Sequence, residues 1–407
     1  MIDVHSASPR RPSARRAIAF VAMAFIVAAC GGCASLQSWI PTIPPPSFGW
    51  LTSMFGGGKK VAPLPDFPIT ANTQIVWQVN IGSAGPGLAP AVTPNAIYAA
   101  NISGTIFRVD PASGAVVWRT EAGRKLAAGV GADATLVVVG TDKGDVLAFD
   151  TNGKALWQTR VTSEVLGPPR VADGTVVVWT GDGRIHGITA TDGKSKWVYQ
   201  RTNPPLTIRN YAGGATSRGG LFAGTAGGKL LAMDLATGNV GWEGNVATPK
   251  GATELERIAD ITSLPVVEER QVCAVAFQGR VACFEVVRGD LVWTRDVSSL
   301  SGIALDNRFL FVADDAGAVH ALDKVTGASA WKQDTLMPRK PAGAQIAGDF
   351  LLVVDPQGYV YLLDRSDGKL VGRAPTDETA PTSQPAQSGA NAVWQTHGGM
   401  LYAVTGR

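Results

Sequence analysis

The segment Ala232-Met233-Asp234-Leu235-Ala236-Thr237-Gly238-Asn239-Val240-Gly241-Trp242 decides the fold of this chain. An apolar, alternating run ends at Asp234, the chain turns at Thr237-Gly238, and a second run closes at Trp242. A turn residue followed by glycine between two strand-like runs is typical of a β-hairpin. The segment therefore predicts two antiparallel strands joined by a short turn.

The same pattern recurs along the chain with a period of about 40 residues, which is typical of a β-propeller built from four-stranded blades. Each copy passes through a turn glycine and, with one exception, ends at a tryptophan. The closing positions are Trp77, Trp118, Trp157, Trp197, Trp242, Trp293, Trp331 and, with glycine in place of tryptophan, Gly372.

Seven intervals separate these closing positions, and the two ends of the chain predict one further blade. Strand-like runs at 391–394 and 400–404 follow Gly372 without a closing tryptophan, whereas Trp77 stands alone near the start. We therefore predict an all-β fold: an eight-bladed β-propeller of four-stranded antiparallel blades over residues 72–407. N- and C-terminal strands would close the ring and remove its open sheet edges.

Residues 1–29 have the pattern of a secretory signal peptide. Four arginines precede the apolar run 17–29, which is too short to span a bilayer. The small residues 27–29 directly before Cys30 resemble a bacterial lipobox, and this resemblance implies that Cys30 is lipidated. Cys33 is a second candidate for lipidation, and ordinary cleavage with an incidental cysteine is the alternative.

Residues 30–71 are predicted to be a lipidated N-terminus and a flexible tether. The segment contains Pro44-Pro45-Pro46 and Gly56-Gly57-Gly58 and has little hydrophobic periodicity. This segment also contains four aromatic residues, Trp39, Phe48, Trp50 and Phe55. They could contact either the membrane interface or the propeller.

The charge balance gives no indication of nucleic-acid binding. The formal charge of +3 comes from the signal peptide, because removing residues 1–29 leaves 32 basic and 32 acidic side chains. A neutral protein lacks the basic surface that binds a phosphate backbone.

The two cysteines in the folded region, Cys273 and Cys283, flank Gln278-Gly279, which has the pattern of a two-residue hairpin turn. That register places Cys283 opposite Ala274 and the two thiols on opposite faces of the sheet. A three-residue turn would place the two cysteines diagonally, still too far apart for easy bridging. Export to an oxidising compartment permits a disulfide, but the register favours two buried, unpaired cysteines.

The sequence predicts no catalytic residue, no metal site and no cofactor. His186, His320 and His397 lack the spacing of a zinc site. The aspartates fall singly at hairpin turns, where a carboxylate accepts backbone hydrogen bonds, rather than in a calcium-binding cluster.

The repeat Ala-x-Asp-x-x-Thr-Gly-x-x-x-Trp resembles the tryptophan-docking motif of the pyrroloquinoline-quinone (PQQ) propeller superfamily. Segments 232–242 and 321–331 match every fixed position. The resemblance implies that each closing tryptophan packs on the neighbouring blade. It also raises a PQQ-dependent quinoprotein dehydrogenase as an alternative, but those enzymes typically carry an adjacent Cys-Cys pair that this chain lacks. We therefore do not expect an enzyme.

Two neighbouring repeats are longer than the others, and both insertions follow the closing tryptophan. They place extra residues in segments 203–210 and 251–262. Equivalent connections lie on one face of a propeller, and long loops on one face often mark a binding surface. The alternative is that these loops only pack on the rim.

The chain resembles the BamB family in its lipobox, its length, its eight tryptophan-type blades and both long loops. These are the propeller lipoproteins of the bacterial outer-membrane β-barrel assembly (BAM) machinery. The resemblance implies that Leu206, Ile208 and Arg209 contact a periplasmic POTRA domain of BamA, the barrel-inserting subunit. It also assigns Arg257 and Asp260 to the same partner-binding surface.

By this resemblance the protein is a non-catalytic scaffold, lipid-anchored to the periplasmic face of the outer membrane. Its expected partners are BamA, the other BAM subunits and unfolded outer-membrane β-barrel proteins, with no nucleic acid. One departure is Thr262, which stands where the family often has a second acidic residue. A propeller that binds another envelope protein remains an alternative.

Overall fold

The computed structural model describes residues 62–209 and 212–407. The signal peptide, both candidate lipidation sites Cys30 and Cys33, and most of the tether lie outside these residues. Within them, the chain forms β-strands and one short 3-10 helix, Met337–Arg339. No helix in this described part has the length and apolarity needed to cross a membrane.

The first half of the described chain supplies seventeen strands. In chain order they are β1 (Thr73–Asn80), β2 (Ala91–Thr93), β3 (Ala96–Ala100), β4 (Thr105–Val109), β5 (Val116–Glu121), β6 (Gly131–Ala132), β7 (Leu136–Gly140), β8 (Asp145–Asp150), β9 (Ala155–Arg160), β10 (Arg170–Ala172), β11 (Thr175–Trp179), β12 (Arg184–Thr189), β13 (Ser195–Gln200), β14 (Gly214–Ser217), β15 (Gly220–Gly224), β16 (Lys229–Asp234) and β17 (Val240–Asn245).

The second half supplies the remaining strands. They are β18 (Val266–Val267), β19 (Gln271–Val275), β20 (Val281–Glu285), β21 (Leu291–Arg295), β22 (Ile303–Leu305), β23 (Phe309–Ala313), β24 (Val319–Asp323), β25 (Ser329–Gln333), β26 (Ala342–Ala347), β27 (Phe350–Val354), β28 (Tyr359–Asp364), β29 (Leu370–Pro375), β30 (Ala386–Ser388), β31 (Asn391–Gln395) and β32 (Met400–Gly406).

These strands form eight four-stranded antiparallel sheets, which confirms the predicted eight-bladed propeller. Blade 1 is β2–β5, and each following set of four strands makes the next blade through blade 7, β26–β29. Blade 8 has the order β1-β32-β31-β30. Its outer strand β1 pairs antiparallel with β32 from Thr73–Gly406 to Asn80–Met400, so the two ends of the chain close the ring.

The hydrophobic core lies between neighbouring blades. The second strand of a blade is almost entirely buried, and fully so in β3 and β7, because both of its faces pack against adjacent sheets. The fourth strand alternates between exposed and partly buried residues, as in β5 and β9, because one face is open to solvent. This gradient explains why the sequence shows continuous apolar runs in the second strand and alternation in the fourth.

The seven closing tryptophans each reach the next blade. Every ring lies against a turn glycine with positive φ, where an added Cβ atom would lie only 2.4–3.1 Å from the indole, as for Trp77 on Gly114. Each indole Nε1 also donates to a backbone carbonyl in that turn. The pairs are Trp77–Pro111, Trp118–Thr151, Trp157–Ala190, Trp197–Leu235, Trp242–Val286, Trp293–Lys324 and Trp331–Arg365, at 2.8–3.2 Å.

The turns that receive these rings are held by their aspartates. Asp234 Oδ1 accepts hydrogen bonds from the backbone N–H of Thr237 at 2.8 Å and from its hydroxyl at 2.7 Å. The hydrogen bond from the Thr237 side chain is the largest cause that lowers the pKa of Asp234. Asp110 and Ser113 repeat the arrangement in blade 1. The predicted turn-capping role of these aspartates is confirmed.

Blade 7 differs because the start of the propeller passes beside it. A Cβ atom on Gly372 would lie 2.6 Å from the Thr73 hydroxyl and 2.9 Å from the Ala71 carbonyl oxygen. The incoming chain therefore fills the space that a closing tryptophan occupies in the other blades. A tryptophan at this position would collide with the strand that closes the ring.

The segment before β1 is fastened to the outer strand of blade 7. Arg373 Nη1 donates to the Pro65 carbonyl at 2.7 Å, and its guanidinium lies 5.5 Å from the centre of the Phe67 ring. The backbone N–H of Thr70 donates to the Val371 carbonyl at 2.8 Å. The last residues before the propeller are thus bound along β29.

The expectation of two unpaired cysteines is wrong, because Cys273 and Cys283 form a disulfide between β19 and β20. Ala276 N–H donates to the Arg280 carbonyl, so the hairpin has a three-residue loop instead of a two-residue turn at Gln278-Gly279. Because the loop begins at Phe277, the two cysteines face each other directly and not diagonally, with their Cα atoms 4.1 Å apart. A change of one residue in loop length moves every side chain of one strand to the other face.

Candidate functional site

Two connections between blades are longer than the others, as the repeat intervals predict. Residues 201–213, here called the first loop, join blades 3 and 4, and residues 246–265, the second loop, join blades 4 and 5. By contrast, residues 161–169 suffice between blades 2 and 3. Isolated bridges such as Leu126–Thr141 tie a connection to the end of the next blade's second strand. All such connections therefore lie on one face of the ring, and the two long loops are neighbours there.

A single buried carboxylate joins the two long loops. Asp260, in the second loop, is only 1% exposed. Its Oδ2 accepts a hydrogen bond from the backbone N–H of Ile208 at 2.6 Å, and its Oδ1 accepts one from the N–H of Gly227 at 2.8 Å. Because the carboxylate is inside, Asp260 positions the first loop and offers no surface to a partner.

The three residues predicted in the first loop lie side by side but differ in exposure. Leu206 is 39% exposed and Ile208 is half-buried. Arg209 is exposed, and its Nη2 lies 2.6 Å from Oε2 of Glu164 in the connection between blades 2 and 3. The loop thus presents an aliphatic side chain beside a guanidinium that is already held in place by an acidic neighbour.

The second loop contains a tight turn that orders Arg257. The Glu256 carboxylate accepts hydrogen bonds from the N–H groups of Ala252 and Thr253 at 2.8 and 3.0 Å, and these bonds, the one from Thr253 first, lower the pKa of Glu256. Arg257 Nε donates to the Gly251 carbonyl, and its Nη1 lies 3.3 Å from Glu254. Arg257 is therefore a half-exposed cation on a defined turn.

Two hollows border the first loop. One, of about 300 Å³, lies between blades 3 and 4 and is lined by Ile208, Arg209 and the indole of Trp179. The other, of about 260 Å³, opens at the ring centre and is also lined by Ile208 and Arg209, together with the exposed Leu264 and Leu300. The first loop forms the wall between these two hollows.

The sequence reasoning missed several residues of this face. Glu164 holds Arg209, but it comes from a connection of ordinary length and carries no sequence signal. Leu255 and Leu264 in the second loop, and Leu300 in the connection between blades 5 and 6, are exposed aliphatic residues. The extra length of the second loop could have indicated Leu255 and Leu264. Leu300 lies in a connection of ordinary length, which gives no such indication.

The histidines occupy separate blades, and the described residues include no group of three potential metal ligands. His186 Nε2 lies 3.1 Å from the Thr162 hydroxyl, and burial lowers the pKa of His186. His320 Nε2 lies 2.8 Å from Asp314 Oδ2, and His397 bonds to a backbone carbonyl. Each of these three histidines has a structural hydrogen-bond partner.

Comparison with known proteins gives a consistent family. A family model described as outer membrane protein assembly factor BamB matches residues 102–333. The outer membrane protein assembly factor BamB of Nitrosomonas eutropha is 43% identical over 336 residues, which cover 81% of this chain and 82% of the relative.

Solved structures share the fold. The crystal structure of BamB from Moraxella catarrhalis matches 82% of this chain and 100% of that chain, with a TM-score of 0.75 and 24% identity. A quinohemoprotein alcohol dehydrogenase from Comamonas testosteroni matches 82% of this chain and 76% of its own, with a TM-score of 0.64 and 13% identity. At these identities the likenesses concern the fold alone.

Proposed function

The chain belongs to the BamB family of outer membrane protein assembly factors, and we propose that it is a non-catalytic scaffold that docks on a POTRA domain of BamA. The proposed docking surface consists of the exposed atoms of Leu206, Ile208, Arg209 and Arg257. The observation that carries this proposal is the carboxylate of Asp260, which fixes the two longest connections against each other. Loops that are merely tolerated insertions need no such buried link.

The composition of the docking surface suits a protein partner. Aliphatic side chains beside an arginine are typical of interface positions where a few residues supply most of the binding free energy. Glu164 orients the Arg209 guanidinium before binding, so less side-chain freedom is lost when a partner docks. Arg257 lies at the edge of the surface, where a charge contributes more to association rate than to affinity.

The remaining parts of the chain fit the same role. Lipidation at Cys30 would anchor the protein to the periplasmic face of the outer membrane. The part of segment 30–71 that precedes the residues bound along β29 would be the tether. The exposed fourth strands of the blades offer unpaired edges to which an unfolded barrel strand of a client can add. Other BAM subunits would be reached through BamA.

The proposal includes the absence of catalysis. The likeness to quinohemoprotein dehydrogenases is one of fold, and fold alone does not imply activity. Those enzymes typically carry an adjacent cysteine pair at the cofactor. In this chain the two cysteines of the propeller are ten residues apart in sequence, and they form a cross-strand disulfide.

Affinity capture tests the proposed function. The mature lipoprotein, tagged at its C-terminus, is purified from solubilised outer membranes, and co-purifying proteins are identified by mass. We expect BamA with the wild-type protein and a loss of BamA with Leu206→Glu. Val117→Glu, which changes an exposed aliphatic residue on the outer strand of blade 1, is the matched control and should retain BamA. Equal recovery of BamA by both variants, or no BamA with the wild type, would refute the proposal.

A further inference from the structure

The Cys273–Cys283 disulfide occupies a position that the other blades fill without a cross-link. The two residues face each other on the second and third strands of blade 5, and both are fully buried. In blade 2 the corresponding facing pair is Val138 and Ala148. The propeller fold therefore does not require a disulfide at this position. Blade 5 is distinguished by the second loop, which enters it.

The disulfide fixes the register of the hairpin between β19 and β20. Only the three-residue loop 277–279 places the two cysteines opposite each other, whereas a two-residue turn at Gln278-Gly279 would put them on opposite faces. Gln278 has φ +47°, a left-handed conformation that costs free energy for a residue other than glycine. The cross-link thus excludes the register that the sequence of the turn favours.

This hairpin in turn holds the second loop at several points. The N–H of Phe277 donates to the Asp260 carbonyl at 2.8 Å. With its amide oriented to satisfy both groups, the Gln278 side chain donates to the carbonyls of Glu256 at 2.9 Å and Ile258 at 3.0 Å. Glu256 and Ile258 are the two chain neighbours of the exposed Arg257, so these contacts fix the backbone on both sides of it.

The contacts continue into the first loop through Asp260. The same residue that accepts from Phe277 at its carbonyl accepts from Ile208 at its carboxylate. A path of direct contacts therefore runs from the disulfide, through the hairpin and Asp260, to the docking surface.

We infer that the Cys273–Cys283 disulfide is a positioning element for the docking surface. By holding the three-residue loop, it keeps Phe277 and Gln278 where they fix the second loop and Asp260, and Asp260 then fixes Ile208. The consequence for partner binding rests on the proposed function. The effect on the loops does not.

The test uses the full mature protein with Cys273→Val and Cys283→Ala together, which recreates the valine–alanine pair found in blade 2. Amide hydrogen exchange resolved to single residues is measured for Phe277 and Ile208, because both amides donate to Asp260. We expect exchange at least about tenfold faster at both amides. We also expect binding to the purified POTRA domains of BamA to weaken by about tenfold.

One control separates positioning from general stability, and a further variant tests the contact between the hairpin and the second loop. Val138→Ala leaves a cavity at the corresponding position of blade 2, so it should lower Tm without faster exchange at Phe277 or Ile208. Gln278→Gly keeps the disulfide and the positive φ but removes the amide that holds the second loop. It should accelerate exchange at Ile208, and it serves as the test if the double variant does not fold.

The outcomes are distinct. Unchanged exchange at both amides in the folded double variant, or in Gln278→Gly if that variant alone folds, would overturn the inference. So would faster exchange with BamA binding as in the wild type. If the wild type does not bind BamA, the proposed function fails, and the exchange measurement alone decides whether the disulfide positions the loops.

Discussion

The carboxylate of Asp260 accepts a hydrogen bond of 2.6 Å from the backbone N–H of Ile208, a residue that lies in a different inter-blade connection. Its second oxygen binds the N–H of Gly227 in the turn between β15 and β16. A buried carboxylate that accepts hydrogen bonds from the backbone of two other segments holds those segments together. Both loops of the docking surface depend on this one side chain.

Replacing Asp260 should therefore release the first loop. In Asp260→Asn the charge is lost, and the amide NH₂ faces one of the two backbone N–H groups. Loss of a charged hydrogen bond costs about 1.5–3 kcal/mol of unfolding free energy. Urea denaturation should show that loss, and capture of BamA should fall.

The control for this variant is Asp296→Asn, an exposed carboxylate on the connection after β21. It should unfold at the wild-type urea concentration, since exposed substitutions of this kind change stability little. If the Asp260 and Asp296 variants are equally stable, the buried carboxylate does not hold the loops.

The closing tryptophans should contribute by both packing and hydrogen bonding. Trp331 is buried against the blade 7 turn, and its Nε1 donates to the Arg365 carbonyl at 2.9 Å. Trp331→Phe keeps most of the buried ring and should cost about 0.5–1.5 kcal/mol, the net value of one hydrogen bond. Trp331→Ala should cost about 3–5 kcal/mol. If chemical denaturation gives similar losses of unfolding free energy for both variants, packing of the ring does not add to the contribution of the hydrogen bond.

The turn aspartates predict a pH dependence of stability with a definite sign. Hydrogen bonds from the backbone and hydroxyl of Thr326 lower the pKa of Asp323 below its ordinary 3.8. Because the folded pKa lies below the unfolded one, the stabilisation is fully present above the unfolded pKa and is lost as the pH falls through the folded pKa.

The difference in Tm between the wild type and Asp323→Asn should therefore be constant near neutral pH and shrink below a pH of about 3.8. Thermal unfolding followed by circular dichroism across this range measures it. A difference that grows on acidification would mean that the carboxylate is not stabilised in its charged form.

The contact between Arg373 and the segment before β1 predicts a local effect. Arg373→Ala removes the hydrogen bond to Pro65 and the contact with Phe67. Residues 62–71 should then be cleaved faster by protease, while the Tm of the propeller changes little. Arg119 occupies the corresponding position on the outer strand of blade 1 and is exposed. Arg119→Ala should leave the cleavage rate unchanged. Equal cleavage rates for both variants would mean that Arg373 does not hold the segment before β1 in place.

The repeat allowed the eight blades to be predicted because each copy contains both the tryptophan and the turn that receives its neighbour's tryptophan. Gly372 was recognised as an exception, but its cause, the passing Ala71–Thr73 segment, is a long-range contact that no local pattern encodes. The cysteine pair was mispredicted because the loop begins at Phe277, one residue earlier than the turn pattern Gln278-Gly279 indicates, and a register shift of one residue reverses the face of a strand.

The geometry of the proposed docking surface was only partly predictable for a similar reason. Insertion length indicated the two loops, and the family resemblance indicated Leu206, Ile208 and Arg209. Whether an acidic residue lies outside or inside depends on which chain covers it. The sequence pattern therefore gave no sign that Asp260 is buried under the first loop, or that Glu164 meets Arg209.

Direct titration of the mature protein with the purified POTRA domains of BamA tests the central claim most directly. We predict saturable binding by the wild type and a Kd raised at least about tenfold by Leu206→Glu and by Arg209→Ala, with Tm nearly unchanged because an exposed ion pair contributes little to stability. Val117→Glu and Arg119→Ala should bind as the wild type does. The same Kd for all five proteins, or no binding by the wild type, would contradict the account.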